Sequence, residues 1–156
     1  MSKTSSIMTE VFSEIEDRSD QIAQENLFEG EIYQNSLFKE VYFGNIVEVQ
    51  KLIGDGGDVN SIYAENKSVN NYKIIGSSPM HFAAYCGNLD ICKILVSHGA
   101  RVDSRKNNHD TPLHIASMMG YIDIVKYLIE NGCDINIQNK NAKIIYMDGL
   151  LFIMHR

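Results

Sequence analysis

Residues 78–103, SPMHFAAYCGNLDICKILVSHGARVD, and residues 111–136, TPLHIASMMGYIDIVKYLIENGCDIN, align at a constant offset of 33 residues. A period of that length marks one supersecondary unit used repeatedly, and units of this size bury a core only by stacking on their neighbours. An earlier and more worn copy, NSLFKEVYFGNIVEVQKLIGDGGDVN, occupies residues 35–60. Its Gly44 and Gly56 keep the frame of Gly87 and Gly99, and of Gly120 and Gly132. Three copies therefore dominate what the chain can fold into.

Each copy reads as two short helices. In the first, Asn35, Ser78 or Thr111 caps, Leu37, Met80 or Leu113 anchors, and Pro79 or Pro112 sits where its missing N–H is harmless. Small Ala83 and Ala116 permit close packing before a glycine stops the helix. The second helix carries an apolar stripe at helical spacing: Ile46, Val49, Leu52 and Ile53, then Leu89, Cys92, Leu95 and Val96, then Ile122, Val125, Leu128 and Ile129. The stripe is expected to be core. Gly56, Gly99 and Gly132 then stand where a left-handed terminator belongs, before the extended segments GDVN, ARVD and CDIN.

The departures are local. The first copy has Ser36 and Phe38 in place of the proline and histidine, and Glu40 in place of alanine, which a terminal unit tolerates because one face meets no repeat. Between copies one and two the offset grows to 43, so the loop at 61–77 holds ten extra residues. Such growth is entropically cheap, and the loop is expected to project from the hairpin edge as a neutral insertion or a binding finger. After DINIQNKNAK a fourth copy should begin, but Ile144, Ile145, Tyr146 and Met147 break the frame. Residues 143–156 are read as an apolar segment covering the third repeat or as the remnant of a longer array.

The period, the SPMH and TPLH starts, the glycine within each copy and the closing G-x-D-V-N element resemble ankyrin repeats over about residues 35–142. The resemblance implies an all-α solenoid of antiparallel helix pairs joined by projecting hairpin loops. It further implies protein binding on the concave side and no chemistry.

Composition bounds the partners. Of twenty acids and fourteen bases, residues 1–35 hold eight and two, so the remainder balances at twelve each and the net charge of −6 belongs to the front. That distribution lacks the basic footprint needed for phosphate neutralisation, and nucleic acid is not expected as a partner. Residues 1–34 are read as an acidic amino-terminal helical cap, with Val11, Ile15, Ile22 and Leu27 on one side, or as a disordered acidic tail. No apolar run approaches the roughly 20 residues that span a bilayer. Three cysteines without paired spacing and no signal-peptide pattern suggest a cytoplasmic protein, expected as a monomer without membrane attachment.

Catalysis finds no candidate. His81 and His114 each stand three residues after a capping hydroxyl, and their recurrence with the repeat marks a structural role. His98, His109 and His155 have no evident partners. Cys86 and Cys92 have no second pair for zinc, and Cys92 takes a core position. No cofactor or metal is expected, and an enzyme using Cys86 or the histidines is disfavoured. In the resembled family the last turn of each first helix and the hairpin tips line the groove. At those places stand Tyr42 with Phe43, Tyr85 with Cys86, and Met118 with Met119, residue types enriched in interface cores. Arg105, Lys106, Asn107, Asn108, His109 and Asp110 are expected as a polar rim beside them, the whole facing an unidentified protein.

Overall fold

In the computed structural model the described residues are 36–64, 68–69, 72–140, 142–147 and 150–155. The acidic segment 1–34 and the cap Asn35 lie outside them. Helices α1 (Ser36–Phe43) and α2 (Ile46–Gly54) form the first pair. Two-residue strands β1 (Ser68–Val69) and β2 (Tyr72–Lys73) follow. Then come α3 (Pro79–Cys86) with α4 (Leu89–Ser97), and α5 (Pro112–Met119) with α6 (Ile122–Glu130). Strands β3 (Ala142–Met147) and β4 (Leu150–His155) close the order.

The repeat is an all-α stack in two layers. The first helices follow one another as α1, α3 and α5, the second helices as α2, α4 and α6, and each first helix also meets its own partner. Small side chains make the first layer possible: Ala83, Ala84 and Ala116 are fully buried between larger Met80, Leu113 and Ile115. Every helix pair turns by the same backbone device. The N–H groups of Asn45, Asn88 and Tyr121 return to the carbonyls of Glu40, Ala83 and Ala116 at 2.9, 3.1 and 2.9 Å, which satisfies a terminal carbonyl around a left-handed glycine. Gly87 has a second reason to be glycine: at φ 73° a Cβ there would lie 2.7 Å from the Tyr121 ring.

Neighbouring repeats are also tied at the far ends of their second helices. Asn60 donates to the Gly99 carbonyl at 3.0 Å and accepts from the Arg101 N–H at 2.8 Å. One repeat on, Asp103 in the matching position accepts from the Asp134 N–H at 3.0 Å. Asparagine can act both ways whereas aspartate only accepts, so the first junction has two bonds through this side chain and the second relies on the carboxylate.

The stripe of the second helices is shifted from the expectation. Val49, Cys92, Val125, Leu95 and Leu128 are buried as expected, but Ile122 is 58% exposed, and Leu89 and Ile46 are only half-buried. The core positions missed are Ile91 and Ile124, both buried. The first residue of each second helix stands on the rim of the tight turn, where it is only partly covered.

The insertion grows from the tip of a hairpin whose base is unchanged. In the unmodified loop the Lys106 N–H meets the Asp110 carbonyl at 3.0 Å, and the His109 N–H meets the Lys106 carbonyl at 2.9 Å. In the enlarged loop Tyr63, Gly76 and Ser77 make the same pair of bonds, both at 2.8 Å. Two residues lie between the matching positions in one case and twelve in the other, so all ten extra residues enter at the tip. Strands β1 and β2 pair there with Val69 opposite Tyr72. The base, by contrast, is core: Tyr63 and Ile74 are buried, and the Tyr63 ring stands 5.5 Å from Phe38 and 5.7 Å from Phe82. Phe38 occupies the place of the missing histidine, and an aromatic cluster replaces the polar staple of the other two copies.

Strands β3 and β4 pair antiparallel, Met147 opposite Leu150, with β4 lying against α5. The two residues between the strands in sequence are Asp148 and Gly149, a dipeptide strongly favoured in two-residue hairpin turns. Flanked by two apolar runs, it was the available signal for strands in a segment read without them.

Candidate functional site

The residues of the expected ladder stand in the last turns of α1, α3 and α5, and they differ in depth. Tyr42 and Phe43 are half-buried, their rings edge-on at 5.5 Å, and Tyr42 also faces Phe82 at 6.4 Å. Burial pushes the Tyr42 hydroxyl up to about 12, with nearby Cys86 and Tyr85 adding to the effect. The first two rungs are thus in mutual electrostatic reach and share their area between core and surface. The third rung stands clear: Met118 is 54% and Met119 39% exposed. Ile122, across the Gly120 turn, adds a third exposed apolar side chain that its helical spacing had assigned to the core. Its signal was present, since 118, 119 and 122 flank one glycine turn.

The expected polar rim divides. Arg105, Asn107 and His109 are exposed and Asn108 is half-buried. Lys106 and Asp110 are buried and belong to the scaffold, which corrects their place in the rim. The Lys106 ammonium donates to the Lys73 carbonyl at the root of the insertion, and burial pulls its pKa down to about 8 against the opposing pull of Asp110. Asp110 accepts from the Asn139 side-chain amide of the following segment, and its own N–H meets the Asn108 side chain at 3.2 Å. These bonds draw the two side chains inward, between successive hairpins. His109 takes φ 66°, the left-handed position that glycine holds as Gly76 in the enlarged loop.

The two repeated histidines are structural in their geometry. His81 Nδ1 accepts from the Ser78 N–H at 3.0 Å, and Nε2 donates to the Asp110 carbonyl at 3.0 Å, linking its repeat to the next. Burial, the largest influence, lowers its pKa to about 4, so the ring is neutral at pH 7. His114 repeats the local half of this arrangement, with the Thr111 N–H 3.2 Å from Nδ1.

The thiols are not poised for chemistry. Burial raises Cys86, Cys92 and Cys133 each to about 12, and all three are free. At pH 8 the native protein is expected to react with Ellman's reagent only slowly, and to release all three thiols in denaturant. One fast thiol in the native state would return Cys86 to the catalytic candidates. Among the described residues no group of three or more His, Cys, Asp or Glu side chains is placed to hold a metal ion. No helix among them is long and apolar enough to cross a membrane.

Comparison with known proteins agrees with this geometry. A family model described as ankyrin repeats matches residues 37–139 in three copies. The 2-5A-dependent ribonuclease of Mus musculus is 36% identical over 74 residues, which is 47% of this chain and 9% of that protein. The chain thus matches less than a tenth of this relative's length.

Proposed function

The chain belongs to the ankyrin-repeat family, a non-catalytic fold that generally mediates protein–protein interaction, and on that premise we propose that it binds a protein partner across the ends of α1, α3 and α5. The observation that carries this reading is the exposure of Met118, Met119 and Ile122 around the Gly120 turn, at the end of the helix that packs on α3 with its half-buried Tyr85 and Cys86. Methionine adapts its shape to irregular surfaces, and aromatic residues anchor interface centres. Arg105, Asn107, Asn108 and His109 supply the hydrogen-bonding rim, and the insertion adds a finger on the same hairpin edge. The monomer binds as a preformed surface, without nucleic acid or membrane. Three unpaired cysteines suit a reducing compartment.

Replacing both Met118 and Met119 by serine is expected to weaken capture of the partner by roughly tenfold or more, as for residues at the centre of an interface. The midpoint of thermal unfolding should fall by far less than for a core residue, because Met118 is about half in water and Met119 is 39% exposed. The measurement is affinity capture from the native cell with wild type and variant in parallel, alongside a thermal melt. Equal capture by both proteins would remove the site from the third repeat.

A further inference from the structure

His81 and His114 hold the same place in successive repeats, yet their outer nitrogens fare differently. Each Nδ1 accepts from the backbone N–H of its cap, so in the neutral ring the proton sits on Nε2. His81 gives that proton to the Asp110 carbonyl, on the backbone leading into the next repeat. One period after Asp110 the matching residue is Lys143, and it lies in β3, opposite Met154 in the hairpin register. Nε2 of His114 is buried and has no hydrogen-bond partner among the described residues.

Helix α5 meets α3 on one side and α6 as its pair, and β4 is its other main neighbour. The hairpin therefore covers the third repeat without supplying the acceptor that a following repeat supplies. A buried donor left unpaired is a penalty carried by the closed form alone, because water reaches the nitrogen once the hairpin lifts. We propose that the β3–β4 hairpin is a releasable cap, which opens from α5 as a local unit below global unfolding and whose opening is favoured when His114 takes up a proton.

The direction follows from the surroundings of the ring. Burial holds the His114 imidazole below its ordinary 6.5, Asp110 favours the proton and Arg105 opposes it. In the open form burial no longer opposes the charged ring, so its affinity for a proton rises and protons accumulate on the open form as the pH falls. Helix α3 contributes His81, neutral down to about 4, with Tyr85 and Cys86 near its far end. On α6 the charged residues Asp123, Lys126 and Glu130 are exposed. The hairpin strands carry Lys143, Tyr146 and His155.

Native-state hydrogen exchange on the full chain at pH 7 and pH 5, corrected for intrinsic rates, tests the proposal. Amides of β3 and β4 are expected to exchange through an opening roughly tenfold or more as populated as the one exposing α3, and severalfold more populated at pH 5 than at pH 7. In His114→Asn the pH dependence of hairpin opening is expected to vanish, while the α3 amides keep theirs through His81. Hairpin amides that exchange only together with α3, or a hairpin opening equally populated at both pH values, would overturn the proposal. Both of these outcomes are measured on the wild type, so the test does not depend on the variant folding. Full pH dependence retained in a folded His114→Asn would remove His114 from the device.

Discussion

Taking the protein from pH 7 to pH 4 is expected to lower its unfolding free energy by about 3 kcal/mol through His81 alone, at about 1.4 kcal/mol per pKa unit. Unfolded, this imidazole binds a proton near 6.5; folded, burial keeps it neutral to about 4. Between those values the unfolded chain holds a proton that the native chain refuses, so stability falls as the pH drops through the window and levels off below it. His114 shifts in the same direction and deepens the loss. A domain of this kind has about 5–15 kcal/mol in total, so the effect is large. Urea unfolding followed by circular dichroism at pH 7, 5.5 and 4 measures it. A flat stability profile across that range would mean that His81 is not held neutral in the junction between the second and third repeats.

Tyr63→Ala is expected to be the most damaging single change in the insertion, at about 3–5 kcal/mol, the range for removing a buried ring. The ring lies edge-on to Phe38 and 5.7 Å from Phe82, and its removal leaves those aromatic faces lining a cavity. The adjacent Ile62 is 52% exposed, and Ile62→Ala should stay within about 0.5 kcal/mol. The comparison of denaturation midpoints separates a loop that merely hangs from the stack from one whose root completes the first repeat. Equal midpoints for the two variants would show that the ring cluster adds nothing, and that the first copy is held by its helices alone.

The histidines and Tyr63 also mark where sequence reading succeeds and where it stops. The local half of the His81 arrangement is visible in SPMH, because Ser78 and His81 are three residues apart on one helical turn. The other half is not, because its acceptor is a backbone carbonyl 29 residues away that every residue type possesses. Tyr63 stood in a loop of mixed composition, and only the ring cluster shows that Phe38, a departure from the repeat, and Tyr63, beside the insertion, complement each other. Lys106 and Asp110 looked like rim residues on polarity alone, and burial between hairpins reversed that reading. Ile122 differs for the opposite reason: its spacing is that of a core stripe, but beside the glycine turn it is 58% exposed.

The amino-acid order alone determined the period, the six helices, the glycine turns and the absence of a recognisable catalytic motif. Caps, prolines, glycines and apolar spacing act within a few residues, so they are legible one copy at a time. Tertiary structure alone decided which polar groups are spent between repeats, which apolar side chains face water, and how the frame-breaking last segment covers α5. Those outcomes depend on what the next unit of the stack offers, and one nitrogen of His114 shows the difference: the same histidine in the same motif is paired or unpaired according to its neighbour.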